Sequence, residues 1–246
     1  MDSSIEKIKE LNEIVNRYDN IVFFGGAGVS TESGIPDFRS VDGLYNQQYD
    51  YPPETILSHT FYMRNRKEFY RFYKNKMLIE GAEPNACHIK LAELEKAGKL
   101  KAVITQNIDG LHQKAGSKEV LELHGSTLRN YCEHCGKFFD FDYIKNSTGD
   151  YPVCDECGAP IKPDVVLYEE GLNQDTINKA VRYISQAQVL IIAGTSLAVY
   201  PAAGLIDYFS GDKLVVINMA PTSRDSYADL CIKDKVGYVM SQIKLK

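Results

Sequence analysis

The sequence predicts an α/β fold, in which a Rossmann-like parallel sheet carries helices on both faces and a smaller domain is made of a zinc ribbon and a helical insertion. Three observations support this prediction. Short aliphatic runs, such as residues 21–24 and 189–193, alternate with segments of helical periodicity. The first run leads directly into a glycine turn, as in doubly wound parallel sheets. Two C-x-x-C pairs in the middle of the chain have the spacing of a zinc ribbon.

The predicted elements follow one another along the chain with one long interruption. Strands are predicted at residues 21–24, 101–105, 120–123, 189–193 and 214–217, and helices at 3–18, 84–96, 174–187 and 201–209. An aromatic-rich helical segment that starts near residue 52 separates the first two strands. We therefore assign residues 1–41, 88–126 and 165–246 to the Rossmann-like domain, and residues 42–87 and 127–164 to the small domain.

Composition and charge restrict the class of protein. The chain has 246 residues, of which 44% are hydrophobic and 25% are charged, as in ordinary globular proteins. The formal net charge of −5 argues against a broad nucleic-acid footprint. The aliphatic runs are too short to span a bilayer, and the first residues lack the pattern of a secretory signal. We therefore expect a cytoplasmic protein with no membrane partner and no direct nucleic-acid binding.

The glycine turn after the first strand is the candidate phosphate site. Residues 21–39 read IVFFGGAGVSTESGIPDFR. Glycines let the backbone approach a ligand closely, and residues 29–32 are expected to open a helix whose N–H groups face the same point. A tight turn without a ligand is the alternative for so short a motif. The carboxylate, ring and guanidinium of residues 37–39 favour the ligand site, because such a group is costly to keep for structure alone.

Polar side chains follow the other predicted strands at their carboxyl ends, where parallel sheets bind ligands. Two amides and a carboxylate lie in residues 106–109, small residues follow at 194–196, and Asn218 ends the last core strand. His124 follows the third strand, and an imidazole titrates near working pH. His124 is therefore the candidate general base. His88, near the start of a helix, is interpreted as structural.

The cysteine pairs predict a metal site. Cys132, Cys135, Cys154 and Cys157 form C-x2-C-x18-C-x2-C, in which each pair can bind one side of a tetrahedral ion. Four thiolates leave no position for a water molecule, so we expect one structural Zn²⁺. A redox dithiol is the alternative, and it does not explain the presence of both pairs.

These motifs together resemble the sirtuins, the NAD-dependent protein deacylases. Residues 26–30, 34–39, 106–109, 124–125, the four cysteines, residues 194–196 and Asn218 occur in one order, and the match covers nearly the whole chain. The resemblance implies transfer of an acyl group from lysine to ADP-ribose with release of nicotinamide. It implies NAD as co-substrate, one structural Zn²⁺ and acyl-lysine proteins or peptides as substrates, with deacetylation as the main activity.

The resemblance also implies a role for individual residues. His124, as the base, and Asn107 would be catalytic. NAD would be lined by Gly26, Ala27, Gly28, Thr31, Asp37, Phe38, Arg39, Gln106, Asn107, Ile108, Asp109, His124, Gly194, Thr195, Ser196, Asn218, Lys235 and Val236. The substrate would contact Val166, Leu167, Tyr168, Tyr73 and Lys76, with residues 166–168 pairing with the peptide as an added strand.

Two segments differ from patterns found in the family. Tyr168-Glu169-Glu170 stands where many members have phenylalanine-glycine-glutamate, which adds a charge beside the peptide groove. Tyr73 and Lys76 stand where members that prefer succinyl or malonyl groups have a tyrosine-x-x-arginine pair. Because lysine lacks the two-pronged grip of arginine on a carboxylate, we expect weak removal of acidic acyl groups.

Two other functions are alternatives to deacylation. An NAD-dependent dehydrogenase would have a third glycine where Thr31 stands and would leave the cysteine pairs unexplained. A non-catalytic module that binds ADP-ribose or peptide would be expected to lack His124, Asn107 or Asp109, and all three are present. ADP-ribosyl transfer to protein stays open as a side activity.

Overall fold

A six-stranded parallel sheet forms the centre of the computed structural model, which describes residues 3–38, 43 and 50–246. The strands of the chain are β1 (Ile21–Gly25), β2 (Leu100–Thr105), β3 (Val120–Glu122), β4 (Gly125–Cys132), β5 (Phe138–Phe139), β6 (Ile161–Val165), β7 (Val189–Ala193), β8 (Lys213–Ile217) and β9 (Leu230–Ile232). The main sheet has the order β3-β2-β1-β7-β8-β9. The strand order reverses between β1 and β7, and ligands bind at the carboxyl ends of strands beside such a reversal.

Helices cover both faces of the main sheet, as the sequence predicts. The helices are α1 (Ser3–Arg17), α2 (Pro53–Ile56), α3 (His59–Arg64), α4 (Arg66–Lys76), α5 (Ala86–Lys96), α6 (Leu111–Lys114), α7 (Phe141–Asn146), α8 (Gln174–Gln186) and α9 (Val236–Ser241). Aliphatic side chains of α1, α5 and α9 pack on one face. Those of α8 and of the 3-10 helix Ala202–Tyr208 pack on the other. β1 and β7 are fully buried between these layers, which explains their continuous apolar sequences.

A second core lies outside the main sheet, in the part of the chain that we call the small domain. α2, α3 and α4 pack against a three-stranded antiparallel sheet of order β5-β4-β6. Five aromatic side chains of α3 and α4, together with two cysteines of the ribbon, are buried in this core: Tyr62, Phe69, Tyr70, Phe72, Tyr73, Cys132 and Cys154. The aromatic periodicity of the insertion is therefore a packing pattern.

The predicted helix at residues 29–32 is wrong in detail. The chain forms two 3-10 turns there, Ala27–Val29 and Thr31–Ser33. Ser30, which lies between the two turns, donates its hydroxyl to Asp109. Gly34 then takes a left-handed φ of 82°, which ends the turn.

The segment from Ala202 to Tyr208 is likewise a 3-10 helix within the predicted range 201–209. No helix in the described ranges has both the length and the apolar character needed to cross a membrane.

Candidate active site

Two glycine turns meet at the carboxyl edge of the sheet, one after β1 and one after β7. The Gly28 N–H donates to the Gly194 carbonyl at 2.8 Å. A Cβ added to Gly28 would lie 2.8 Å from the Gly194 Cα, and one added to Gly194 would lie 2.4 Å from the Val29 nitrogen. Gly194 also has a φ of +59°. These glycines are therefore required for the close approach of two loops, in addition to any ligand that the loops hold.

A buried polar network lies beside the glycine turns. Ser30 is 1% exposed, and its hydroxyl donates to Asp109 Oδ2 at 2.7 Å. The same Oγ accepts from Asn107 Nδ2 at 3.0 Å. Asp109 Oδ1 accepts from the Leu111 N–H at 2.9 Å, which begins α6. The network fixes an amide and a carboxylate in one orientation at the wall of the site.

His124 is held as a neutral base. Its Nδ1 lies 3.0 Å from the Gln106 carbonyl oxygen, an atom that can only accept, so Nδ1 carries the proton and Nε2 keeps its lone pair. Burial lowers the pKa of His124, and the Gln106 carbonyl partly offsets that effect. Gln106 Nε2 in turn donates to Thr195 Oγ1 at 3.0 Å. The imidazole is thus able to take a proton at neutral pH.

Two cavities meet at His124. The smaller, of about 310 Å³, lies over the glycine turns. The larger, of about 720 Å³, extends between the main sheet and the small domain. Five residues line both of them: Ala27, Phe38, Gln106, Asn107 and His124. A group in one cavity can therefore react with a group in the other beside the imidazole.

Most sequence-predicted site residues line one of these cavities. The smaller cavity is lined by Gly26, Ala27, Gly28, Thr31, Asp37, Phe38, Gln106, Asn107, His124, Gly194, Thr195, Ser196, Asn218, Lys235 and Val236. The larger is lined by Ile108, Asp109, Val166, Leu167, Tyr168 and Lys76. Arg39 lies outside the described residues. Tyr73 does not line the larger cavity, because its side chain is fully buried in the aromatic core of the small domain.

Residues 166–168, predicted to pair with a peptide, already use their backbone N–H groups within the chain. The Val166 N–H donates to the His124 carbonyl, and the Tyr168 N–H donates to the Leu57 carbonyl. The Leu167 N–H donates to Glu170 Oε2. A strand added here would therefore be held through carbonyl oxygens, each of which has two lone pairs.

The four cysteines of the two pairs form one cluster. Their sulfur atoms all lie within 4.8 Å of one another, and the Cys132–Cys157 and Cys135–Cys154 sulfurs are 3.4 and 3.6 Å apart. Tetrahedral Zn²⁺ with bonds of about 2.3 Å places sulfurs about 3.8 Å apart, so the cluster fits this ion. The N–H groups of His134 and Cys135 both point at the Cys132 sulfur, as in a metal-binding turn. His134 is not a member of the cluster.

Sequence reasoning missed several residues of the site. Ser30 lies in the glycine motif, but its hydrogen bonds to Asn107 and Asp109 join residues more than 70 positions apart, and the motif does not predict them. Val199 and Tyr200 line the larger cavity after β7. The position of residues 199–200 just beyond the small residues that follow a buried strand could have indicated them.

Comparisons with known proteins agree with this geometry. The model of the Sir2 family matches residues 26–201. An NAD-dependent protein deacetylase of Clostridium acetobutylicum is 56% identical over 241 residues, which cover 97% of this chain and 98% of the relative. One of Staphylococcus aureus is 42% identical over 240 residues, covering 96% of this chain and 97% of the relative.

Solved structures are similar over almost the whole chain. A Sir2 variant with a deacetylated p53 peptide and 3′-O-acetyl ADP-ribose has a TM-score of 0.89 and 39% identity, with 96% of both chains covered. A complex of Sir2 with a p53 peptide and NAD⁺ has a TM-score of 0.84 and 40% identity, with 95% of both chains covered.

Proposed function

This chain belongs to the Sir2 family, and from that premise we infer that it is an NAD-dependent protein-lysine deacetylase. It transfers the acetyl group of acetyl-lysine to ADP-ribose and releases nicotinamide. The observation that carries this conclusion is the position of His124, which faces both cavities and presents an unprotonated Nε2. The smaller cavity would hold the dinucleotide, and the larger would hold the acyl-lysine and its peptide.

The division between the cavities follows from what lines them. Backbone groups of the glycine turns and the side chains of Thr195, Ser196 and Asn218 surround the smaller one, which suits phosphates and ribose hydroxyls. Apolar side chains and the segment 165–170 surround the larger one. An extended peptide lying on that segment would bring its acyl-lysine toward His124.

The residues between the cavities would carry the chemistry. NAD supplies a leaving group, nicotinamide, and the ribose that receives the acyl group. His124 Nε2 would take a proton from a ribose hydroxyl, and its Nδ1–H bond to the Gln106 carbonyl keeps that tautomer in place. The fixed dipoles of Ser30, Asn107 and Asp109 would hold the nicotinamide amide and stabilise positive charge as it develops.

The cysteine cluster would hold Zn²⁺ in a structural role. All four ligand positions are thiolates, so no position is left for water or substrate. The ion would fix the ribbon, and β4 of the ribbon begins at Gly125, directly after His124.

The preference for the acyl group is part of the proposal. Lys76 lines the larger cavity while Tyr73 does not, so the tyrosine-x-x-lysine pattern cannot act as one unit on a carboxylate. We expect acetyl-lysine to be removed faster than succinyl-lysine. Measuring kcat/KM on acetyl and succinyl forms of one peptide tests this, and a succinyl preference would overturn it.

Partners and place of action complete the proposal. Acetylated and propionylated peptides occur in complexes of the structural relatives, and we propose acyl-lysine proteins as substrates here. The net charge of −5 disfavours binding to nucleic acid, so we propose no nucleic-acid partner. Cysteines that bind a metal stay reduced, and thiols persist in a reducing compartment. This supports the proposal that the protein acts in the cytoplasm.

The test is incubation with an acetyl-lysine peptide and NAD, followed by mass spectrometry. We expect stoichiometric nicotinamide, deacetylated peptide and acetyl-ADP-ribose. Absorbance of NADH is followed in the same reaction, because a dehydrogenase would produce NADH and a deacetylase would not. Formation of NADH, or tight binding of the peptide without any product, would contradict the proposed function.

A further inference from the structure

The rim of the peptide groove carries a carboxylate that the reaction does not use. Tyr168, Glu169 and Tyr200 all line the larger cavity, and all three are exposed. The exposed fractions of Tyr168 and Tyr200 are 37% and 71%, so both rings are accessible at the mouth. These side chains are therefore within reach of a peptide that occupies the larger cavity.

Glu169 and its neighbour Glu170 differ in their partners. The Glu170 carboxylate accepts from the Leu167 N–H and lies 3.1 Å from Lys162 Nζ and 2.8 Å from His59 Nδ1. Its charge is therefore matched within the fold. Glu169 accepts from the Thr60 N–H at 2.8 Å and takes part in no ion pair in the part of the chain that the structure describes.

Glu169 is also kept charged and kept in place. Hydrogen bonds from Thr60 hold the pKa of Glu169 below its usual value, and His59 and Arg64 act on it only through their more distant charges. Its backbone has a φ of +75°, a conformation that glycine adopts without cost and glutamate does not. A carboxylate is thus retained at a position where the backbone favours glycine.

The chemistry at this rim fits a cation. A guanidinium or ammonium group is attracted both by an unpaired carboxylate and by the faces of tyrosine rings. We propose that Glu169, together with the exposed rings of Tyr168 and Tyr200 in the same cavity, selects acyl-lysine substrates that carry an arginine or lysine close to the modified residue. This inference rests on the proposed deacetylase function and names a class of substrate for the same site.

The test compares acetyl-lysine peptides that differ only in the flanking residues, which are arginine, glutamine or glutamate. Nicotinamide release is measured at saturating NAD. We expect kcat/KM for the arginine peptide to exceed that for the glutamine peptide about threefold to tenfold, with the glutamate peptide lowest. Because the groups are exposed, about 0.5 M salt should reduce the difference.

The Glu169→Gln variant tests whether Glu169 causes the preference for arginine peptides. Glutamine can still accept from the Thr60 N–H, so the loop is retained while the charge is removed. We expect the ratio of arginine to glutamine peptides to fall toward one. Glu13→Gln is the matched control, since Glu13 is exposed on α1 and lines neither cavity, and its ratio should match that of the parent protein.

The outcomes separate the two proposals. Equal kcat/KM for all peptides, or an unchanged ratio in a folded Glu169→Gln variant, would overturn the selection by Glu169 and leave deacetylation standing. Absence of nicotinamide release from every peptide would overturn the proposed function and this inference with it. A thermal melt of each variant confirms that it is folded.

Discussion

The main sheet and the small domain reach stability by different means. The sheet is buried between two layers of aliphatic side chains, and its two central strands, β1 and β7, have no exposed residue. The small domain packs a few aromatic rings against a short antiparallel sheet and two cysteines. Aliphatic burial stabilises the sheet by itself, at about 25 cal/mol per Å² of apolar surface. The ribbon has no such aliphatic layers, and its four clustered cysteines would stabilise it by holding a metal.

His124 lies where these two regions meet, so the site depends on the stability of both. His124 ends the connection from β3, and the next residue, Gly125, begins β4 of the ribbon. A Cβ on Gly125 would lie 1.9 Å from the Asp164 carbonyl oxygen, so the two regions are joined there by tight backbone contact. His124, the proposed base, thus depends on both regions, and each region should fail under a different stress.

Loss of the metal should have the largest effect. Removal of Zn²⁺ by a chelator, or Cys154→Ser, should unfold the ribbon and reduce deacetylation more than about 100-fold, because structural zinc supplies folding free energy. Metal analysis should find one zinc per chain before treatment, and deacetylation is measured before and after. Cys231→Ser, outside the cluster, is the control and should retain activity. Full activity in the metal-free protein would contradict the structural role.

Acid should instead destabilise the sheet region through a buried histidine pair. His88 and His112 are 0% and 1% exposed, with ring centroids 4.7 Å apart. Burial lowers the pKa of His88 to about 4 and that of His112 to about 3; the charge of Asp109 partly offsets the first shift, and the charge of His88 adds to the second. Both His112 ring nitrogens find no hydrogen-bond partner among the described residues.

The direction in which stability changes with pH follows from these lowered pKa values. The unfolded chain binds protons below pH about 6.5 and the folded chain does not, so stability is complete above that pH and falls as pH drops toward 4. We expect the free energy of unfolding to decrease by about 2 kcal/mol per histidine between pH 7 and 5. Urea titrations at the two pH values measure it. His112→Phe should remove about half of the loss, and equal stability at both pH values would exclude the pair as its source.

A smaller effect is expected where α9 meets the glycine turn. Glu32 Oε2 accepts from the Gly237 N–H at 2.5 Å, and a Cβ on Gly237 would lie 2.6 Å from that oxygen. Lys235 and Val236, just before this contact, line the smaller cavity. Glu32→Ala should raise KM for NAD about fivefold and change kcat little, because one charge-assisted hydrogen bond contributes about 1 kcal/mol. Steady-state kinetics measure both constants, Glu32→Gln should give an intermediate value, and an unchanged KM would contradict the positioning role.

The smallest effect concerns the core of the small domain. The Tyr73 hydroxyl is buried without a hydrogen-bond partner among the described residues, and burial raises its pKa. Tyr73→Phe should raise the free energy of unfolding by about 1 kcal/mol, since the cost of that buried hydroxyl is removed. The ratio of acetyl to succinyl activity should stay the same. A changed ratio would restore Tyr73 as a selectivity residue.

Much of this architecture could be predicted from local sequence. Five of the six strands of the main sheet are predicted to within one residue at each end, because buried parallel strands have continuous aliphatic runs bounded by polar or small residues; the edge strand β9 has no predicted bounds. The four cysteines were found because their spacing is a direct consequence of tetrahedral coordination.

The rest depends on contacts between distant residues. Ser30, between the 3-10 turns Ala27–Val29 and Thr31–Ser33, donates to Asp109, and no local pattern predicts a bond to a residue 79 positions away. Tyr73 is buried in the same core as Phe69 and Tyr70, and its distance in sequence from Lys76 does not show which of the two lines the cavity. The contact of Gly28 with Gly194 joins turns more than 160 residues apart.

The most direct measurement concerns His124. His124→Ala should still bind NAD and melt near the temperature of the parent protein, but it should form no acetyl-ADP-ribose from an acetyl-lysine peptide, because the proton acceptor beside both cavities is removed. His124→Tyr should behave in the same way. Acetyl-ADP-ribose formed at the parental rate by a folded His124→Ala protein would contradict the account.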